Sequence, residues 1–292
     1  MISPREKLTS HLEAKLAESA AIRKQFLYSN DEEDQTDGLL DPIGDALRAK
    51  GNGIIHRYKN RILFMPTTAC PVNCRYCFRR NELVSPSSFL KGKLNELETY
   101  LKKHPEVEEV ILTGGDPLVL NNQRLEEVFK ILIKCGTRFL RIHTRAPAVD
   151  PTRIDDGFLK LIEKFQASFK RIFLVIHTNH PDELDSLIAN SIEKLNGLKI
   201  TLLSQSVLLK GVNDDAEILK RLMERLVEIG ITPYYLHHPD KVKGAMHFYL
   251  SEDEGLKIYR QLKSICSGWA IPHYILDSSE GTGKKFMINQ TL

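Results

Sequence analysis

Residues 61–80 read RILFMPTTACPVNCRYCFRR, a short apolar run followed at once by a loop that carries three cysteines. The run at 61–65 is typical of a buried β-strand. Cys70, Cys74 and Cys77 crowd into the loop with the spacing C-x3-C-x2-C. Clustered thiols in a chain without a disulfide framework more often bind a metal or carry out redox chemistry. This unit therefore predicts a strand whose C-terminal end leads into a metal-binding loop.

The same strand-then-helix pattern continues to the C-terminus. Strands are predicted at 61–65, 107–113, 139–143, 171–177, 199–204, 232–237 and 272–276, and helices at 90–103, 122–135, 156–165, 181–195, 214–229 and 251–264. Alternating strands and helices imply parallel strands joined by right-handed crossovers. The predicted fold class is therefore α/β, and an open or closed (β/α) barrel fits the count.

Glycines and polar side chains follow the predicted strands at the point where each strand ends. They are Cys70, Gly114, Gly115, Asp116, His143, Arg145, His177, Asn179, Gln205, Asp240 and Asp277. Because functional residues of (β/α) barrels lie at the C-terminal ends of the strands, these residues are expected to line one site.

The composition excludes several classes of protein. The 292 residues are 42% hydrophobic and 27% charged, which suffices for a sizeable core. The net charge is only +3, which argues against a general nucleic-acid binder. No apolar run approaches a membrane span and the N-terminus shows no secretion signal, so we expect a cytoplasmic protein. The isolated Cys135 and Cys266 are expected to be small buried hydrophobic residues.

Two regions are expected along the chain. Residues 1–50 form an N-terminal extension of helix and loop, in which Leu8, Leu12 and Leu16 have helical spacing. Residues 51–292 form the (β/α) core that carries the cysteine loop and the polar strand ends. The chemistry is therefore expected in the second region.

The cysteine loop has the residue types of an iron–sulfur site. Three thiolates can hold three corners of a [4Fe–4S] cluster and leave the fourth iron open to a small molecule. The spacing, with the aromatic Tyr76 before the last cysteine, resembles the radical S-adenosylmethionine (SAM) superfamily, whose members bind SAM at that iron. From the three cysteines alone, a structural zinc site or a chance cluster stays open, although zinc usually needs a fourth Cys or His nearby.

A glycine-rich tripeptide after the second predicted strand strengthens this resemblance. Gly114, Gly115 and Asp116 resemble the superfamily's motif for the SAM amino group. Glycine permits close approach of the backbone, and aspartate accepts hydrogen bonds from an ammonium. By itself a GGD tripeptide is a common turn, so it supports the resemblance only in combination with the three cysteines.

Longer segments extend the resemblance over roughly four-fifths of the chain. Likeness to the lysine 2,3-aminomutase family is carried by HRYKNRILF, CPVNCRYCFRRN, LTGGDPLV, LRIHTRAP, IHTNHP, LLSQSVLLKGVND and PYYLHHPDKVKGAMHF. It is strongest to the short branch that makes β-lysine for modifying translation elongation factor P. The resemblance implies a radical SAM partial (β/α) barrel and an isomerase, an intramolecular aminotransferase, that converts L-lysine to β-lysine.

The family resemblance also implies pyridoxal 5′-phosphate (PLP) as a further cofactor, bound in a C-terminal segment near 277–292. Lys284, in Gly281-Thr282-Gly283-Lys284, matches the family's cofactor lysine, and the adjacent Lys285 stays an alternative. Other implied cofactor contacts are Arg57, assisted by Arg61, at the PLP phosphate, Gln205 near PLP and His177 at SAM.

The resemblance implies that three charged residues recognise the substrate. Arg79 matches the family's partner for the substrate carboxylate, and a guanidinium binds a carboxylate in bidentate fashion. Asp240 and Asp277 match the partners of the lysine ε-ammonium, which would be costly to bury unpaired. An enzyme for glutamate is expected to have neutral or basic groups at those two positions.

Several alternatives and partners stay open at this point. One alternative is a 2,3-aminomutase for another amino acid such as glutamate, or a lysine enzyme that makes β-lysine as an osmolyte. Another is a non-catalytic iron–sulfur or zinc module, and a third is an RNA-modifying radical enzyme, which the near-neutral charge disfavours. The expected partners are L-lysine and a one-electron reductant such as flavodoxin or ferredoxin, with no nucleic acid and no membrane. Homo-oligomerisation is left open.

Overall fold

The computed structural model describes residues 6–33, 37–81, 91–280 and 283–287. Its strands are β1 (Ile54–Tyr58), β2 (Arg61–Thr67), β3 (Glu109–Gly114), β4 (Phe139–Thr144), β5 (Arg171–His177), β6 (Ile200–Val207), β7 (Thr232–His237), β8 (His273–Asp277) and β9 (Lys284–Phe286). Its α-helices are α1 (Ser10–Lys15), α2 (Ala20–Phe26), α3 (Lys91–Lys103), α4 (Asn122–Lys134), α5 (Ala146–Val149), α6 (Asp156–Phe165), α7 (Ser186–Glu193), α8 (Ala216–Glu228) and α9 (Glu252–Ile265).

In the described part of the chain, nine strands form one sheet in which neighbours in sequence are neighbours in space. β2 to β8 run parallel, and β1 and β9 pair antiparallel with the two ends of that set. The two edges approach each other, because the Lys284 amide donates to the Tyr58 hydroxyl at 3.1 Å. Arg57 likewise donates to the carbonyl of Ser278 at 3.0 Å. The sheet is therefore curled into a partial (β/α) barrel, as the sequence predicts.

The main apolar core lies between this sheet and the crossover helices. Alternate strand residues such as Leu112, Leu140 and Leu174 are at most 2% exposed, as expected for strands with one face covered by helices. α6 and α8 bring the fully buried Phe158 and Leu222 to the same layer. Because this layer supplies the packing, the C-terminal ends of the strands are free to carry polar side chains.

Two short N-terminal helices pack beside the cysteine loop. The side chains of Thr9 and Ser19 accept hydrogen bonds from backbone amides and so cap the starts of α1 and α2. Leu12 and Phe26 are fully buried and form a small apolar cluster with Val72 of the cysteine loop. Part of the predicted extension 1–50 therefore supports the loop that carries the cysteines.

The predicted series of parallel strands is confirmed, but some local predictions are wrong. The helix predicted at 181–195 begins only at Ser186, because Asp185 has extended backbone and its side chain caps the Ile188 amide. β1, β9 and the four-residue α5 are missing from the predicted elements. Residue 90 of the helix predicted at 90–103 lies outside the described residues. None of the helices in the described ranges has the length and apolarity needed to cross a bilayer.

Candidate active site

A cavity of about 380 Å³ opens at the C-terminal ends of the strands. Thirteen of the residues that the sequence analysis assigns to the site line it: Cys70, Cys74, Cys77, Arg57, Arg79, Gly114, Gly115, Asp116, His177, Gln205, Asp240, Asp277 and Lys284. Arg61, His143 and Arg145 line it as well. The expectation for Asn179 is wrong, because its side chain is buried away from the cavity and donates to Gln25 Oε1 at 3.1 Å. A second groove between α4 and α6 contains none of the predicted site residues and is lined mainly by exposed lysine and half-buried glutamate side chains. The chemistry is therefore expected inside the partial barrel.

The cysteine loop has donors that suit an iron–sulfur cluster. Cys70, Cys74 and Cys77 are free thiols on the cavity wall. Within the described residues, no three His, Cys, Asp or Glu side chains are close enough to hold a single metal ion. An iron–sulfur cluster needs a different arrangement of ligands, because each of its cysteines binds a separate iron atom. Three thiols on one loop that face one cavity therefore fit a cluster by their chemistry.

Gly114 and Gly115 bring the end of β3 against the loop that leads to Cys70. A Cβ on Gly115 would lie 2.2 Å from the carbonyl oxygen of Ala69, and a Cβ on Gly114 would lie 2.6 Å from the Cβ of Met65. Gly114 also has a φ of +103°, which favours glycine. The absence of a side chain at Gly114 is therefore required for its close approach to β2, and at Gly115 for its close approach to the loop that leads to Cys70.

Asp116 is buried, and protein groups already bind its carboxylate. The Thr144 hydroxyl donates to it at 2.7 Å, and the backbone amides of Leu118, Arg145 and Ala146 donate at 2.9, 2.7 and 2.9 Å. These contacts fix the ends of β3 and β4 relative to each other. The role of Asp116 toward the SAM amino group stays a prediction.

His177 lies in a buried polar network beside the cysteine loop. Its Nε2 is 3.1 Å from the hydroxyl of Tyr76, and the two rings stack with centroids 5.7 Å apart. Arg145 donates to the same hydroxyl and pairs with Glu183 at 2.6 Å. Glu183 in turn accepts from Gln25 of α2 at 3.0 Å. The network joins the N-terminal helices to the wall of the cavity, a link that the sequence analysis missed.

Lys284 projects into the cavity from β9, at the edge of the sheet. Its Nζ lies 2.8 Å from each carboxylate oxygen of Asp277. Gly283 has a φ of +93°, and a Cβ there would lie 2.5 Å from the Tyr58 hydroxyl, so the turn before Lys284 requires glycine. Lys285 is exposed and does not line the cavity. Of the two candidates for the cofactor lysine, only Lys284 faces the site. Gly281 and Thr282 of the predicted turn lie outside the described residues.

The cavity also has groups that suit the other parts of PLP. Arg57, Arg61 and Gln205 line its wall, and guanidinium groups bind phosphate well. The Arg61 guanidinium lies 3.7 Å from the centroid of the Tyr58 ring, which helps to hold it in place. His143 Nε2 is buried and has no hydrogen-bond partner within the described ranges. A polar ligand in the cavity would satisfy that atom, so the residues present fit PLP.

Arg79, the predicted partner of the substrate carboxylate, is paired with an aspartate that the sequence analysis missed. Asp45 Oδ2 lies 2.5 Å from Arg79 Nη2, and both side chains are at most 7% exposed. Asp45 reaches the cavity because the Asp41 carboxylate accepts from the amides of Asp45 and Ala46 and so fixes the turn. The N-terminal region therefore contributes a side chain to the site itself.

Asp240 and Asp277 differ sharply in their electrostatic environment. Burial and the nearby Asp277 carboxylate raise the pKa of Asp240 to about 7. Burial alone would also raise the pKa of Asp277, but a hydrogen bond from His237 and the Lys284 ammonium hold it well below its usual range. The cavity therefore contains one carboxylate that is already paired and a second whose charged form is disfavoured by burial.

The raised pKa of Asp240 predicts a pH-dependent effect on stability. The folded chain holds a proton on Asp240 up to about pH 7, whereas the unfolded chain releases it near the ordinary pKa of 3.8. The contribution of Asp240 to the free energy of unfolding therefore falls as the pH rises through this window. We expect Asp240→Asn to stabilise the ligand-free protein at pH 8 by on the order of a few kcal/mol, and by less at pH 5. Urea unfolding at both pH values measures this; an equal change at both would contradict it.

Comparisons with known proteins agree with this geometry. Residues 64–238 match the family model described as the radical SAM superfamily. A radical SAM methyltransferase from Sphaerobacter thermophilus has the same fold, with a TM-score of 0.55 over 78% of this chain and 69% of that chain at 14% identity. The chain therefore belongs to the radical SAM superfamily, whose members use an iron–sulfur cluster and SAM.

The sequence relatives place the chain more narrowly. It is 44% identical to an L-lysine 2,3-aminomutase of Haemophilus influenzae over 85% of this chain and 73% of the relative. It is 39% identical to an L-lysine 2,3-aminomutase of Escherichia coli over 86% and 73%. A glutamate 2,3-aminomutase of Clostridioides difficile is 33% identical over 90% and 61%. Within the superfamily, the chain belongs to the lysine 2,3-aminomutase family of isomerases.

Proposed function

We propose that the protein is a PLP-dependent radical SAM enzyme that converts L-lysine to β-lysine by moving the amino group from C2 to C3. One observation carries the proposal: a single cavity is lined by the three cysteines, by Lys284 and by a set of charges that matches free lysine. Arg79 suits the carboxylate of the substrate, and Asp240 and Asp277 suit its distal ammonium.

The expected cofactors divide the chemistry between them. When bound, the cluster and SAM supply a carbon-centred radical, and PLP supplies a conjugated π-system that eases migration of the amino group. Cys70, Cys74 and Cys77 would hold the cluster, while Lys284, Arg57 and Gln205 would hold PLP. Gly114, Gly115, Asp116 and His177 are the proposed SAM contacts.

The protein's own residues bind, orient and enclose the reactants. Arg79 orients the carboxylate, and the two aspartates hold the other end of the substrate, so that the hydrogen at C3 has a fixed position. Lys284 has to give up its contact with Asp277 when it binds PLP. Asp277 would then be open to pair with the distal ammonium of the substrate.

The pair of aspartates favours lysine over glutamate. The distal carboxylate of glutamate would lie against two carboxylates, and like charges at close range in a half-buried site are repulsive. Burial and the Asp277 carboxylate raise the pKa of Asp240 even with Lys284 in place, which disfavours a further negative charge in the site. Because a glutamate 2,3-aminomutase is among the relatives, glutamate remains the alternative substrate to test.

The wider biological role is part of the same proposal. Residues 51–292 would form the catalytic core, with the PLP lysine near 277–292, and residues 1–50 would form an extension that contributes Asp45. The enzyme would act in the cytoplasm with a one-electron reductant such as flavodoxin or ferredoxin. The resemblance to the short branch of the family favours delivery of β-lysine to elongation factor P.

The proposal is tested by an anaerobic assay of the reconstituted enzyme. The protein is loaded with iron, sulfide and PLP, mixed with SAM and dithionite, and given L-lysine or L-glutamate in parallel tubes. We expect β-lysine by mass spectrometry in the first tube and no β-glutamate in the second. Formation of 5′-deoxyadenosine and β-glutamate would replace the proposed substrate, and the absence of all three products from cluster-loaded protein would reject the function.

A further inference from the structure

His237 lies next to Asp277 on the cavity wall, at the C-terminal end of β7. Its backbone pairs with Ile275 of β8, so Asp277 follows two residues later on the same face of the sheet. The Nδ1 of His237 donates to Asp277 Oδ2 at 3.0 Å. The two side chains are 18% and 17% exposed, so this hydrogen bond is largely shielded from water.

The hydrogen bond requires a particular form of the imidazole. A carboxylate can only accept, so the proton lies on Nδ1. Burial and the Lys284 ammonium lower the pKa of His237, which keeps the ring neutral. A neutral ring donates one directed hydrogen bond to Asp277 but does not replace the positive charge of an ammonium.

Asp277 would have a different set of partners once the cofactor is bound. In this structure Lys284 Nζ binds both of its oxygens, and His237 binds one of them. A lysine that carries PLP through its Nζ can no longer supply that ammonium. Of the side-chain hydrogen bonds to Asp277 found in the described ranges, the one from His237 would then remain.

The position of this carboxylate determines whether it can recognise the distal end of the substrate. An aspartate with one fixed oxygen keeps its other oxygen free for a ligand in a defined direction. Without a fixed partner, the carboxylate can rotate, and the direction of its oxygens is no longer set. We infer that His237 is a positioning residue that holds Asp277 toward the distal ammonium of the amino-acid substrate, an inference that rests on the proposed function.

The neighbouring His238 offers a matched control. It points to the opposite face of β7, is 1% exposed, and its Nδ1 is 2.7 Å from the hydroxyl of Tyr274. Both histidines are therefore hydrogen-bonded residues at the end of one strand. Of the two, only His237 faces the cavity. A general loss of packing at this strand would affect both variants, whereas loss of the contact with Asp277 would affect only the His237 variant.

The test compares two ligands that differ only at the distal end. PLP-loaded protein, without SAM or reductant, is titrated with L-lysine and with L-norleucine, which has a methyl group in place of the ammonium. Binding is followed by the absorbance of PLP, so the measurement does not depend on turnover. The quantity compared is the Kd for L-norleucine divided by the Kd for L-lysine.

His237→Phe is expected to lower this ratio about tenfold, chiefly by weakening the binding of lysine. His237→Asn keeps an N–H donor near the place of Nδ1 and is expected to restore most of the ratio. His238→Asn should leave it within about twofold of the wild-type value, because that residue has no contact with the cavity.

Two other outcomes would overturn the inference. If His237→Phe keeps the wild-type ratio, or weakens both ligands equally, His237 has no role in positioning Asp277. A wild-type ratio near one would instead reject lysine as the proposed substrate, and the inference would fail together with it. The two failures are distinguishable because the first appears only in the variant and the second already in the wild-type protein.

Discussion

Lys284→Ala is expected to abolish covalent attachment of PLP and to reduce β-lysine formation by more than about a thousandfold. The structure places the Lys284 amine inside the cavity, 2.8 Å from Asp277, at the end of a turn that requires glycine at Gly283. A methyl group at position 284 offers no nucleophile for the aldehyde of PLP. PLP could then bind only through its phosphate and ring contacts.

Lys285→Ala is the matched control for this prediction. Lys285 is the next residue along β9, but its side chain is exposed and outside the cavity. Because successive side chains of a strand point to opposite faces, the two lysines cannot substitute for each other. Both variants and the wild-type protein are reduced with borohydride, digested and examined by mass spectrometry. A PLP adduct on Lys285, or an active Lys284→Ala protein, would contradict the assignment.

Cys77→Ala is expected to prevent assembly of a complete cluster and to reduce SAM cleavage by more than about a thousandfold. The loop offers three thiols to the cavity, and the loss of one leaves two ligands for a cluster that already lacks a fourth cysteine. Burial raises the pKa of Cys77 to about 11, so this thiol must lose a proton when it binds iron.

Cys135→Ala is the control for the cluster prediction. Cys135 is also a free thiol, but it caps the end of α4, outside the cavity. Iron content, the visible absorbance of the cluster and the yield of 5′-deoxyadenosine are measured after anaerobic reconstitution. Full iron content and SAM cleavage in Cys77→Ala would mean that the cluster is held elsewhere, whereas a loss in Cys135→Ala would point to general misfolding.

The sequence predicts the parallel strands well because they give a strong local signal. Runs such as RIFLVIH, which forms β5, are apolar over most of their length because the strands are shielded on both faces, as is usual for parallel sheets. The residues at the ends of these strands then lie together by topology, and the residues predicted to bind cofactors and substrate line one cavity. The expectation is wrong for Asn179, which is fully buried and donates to Gln25 instead. The individual roles of the lining residues toward cofactors and substrate stay predictions.

The contacts that the sequence analysis missed depend on tertiary structure. Asp45 lies far from Arg79 along the chain, and a lone aspartate in a polar segment is more often a turn or cap residue. His237 is one of two adjacent histidines, and only the pleat of β7 shows which of them faces the cavity. Edge strand β9 has three residues, too few for a period of two to be recognised.

The most direct test of the central claim follows the nitrogen atom itself. L-Lysine labelled with ¹⁵N at the 2-amino group is mixed with an equal amount of ¹³C-labelled, ¹⁴N-containing L-lysine and given to the anaerobic, fully loaded enzyme. We expect β-lysine with ¹⁵N on C3 only in molecules without ¹³C, because the amino group moves within one substrate molecule. Label exchanged between the two pools, or no β-lysine from cluster- and PLP-loaded protein, would contradict a lysine 2,3-aminomutase.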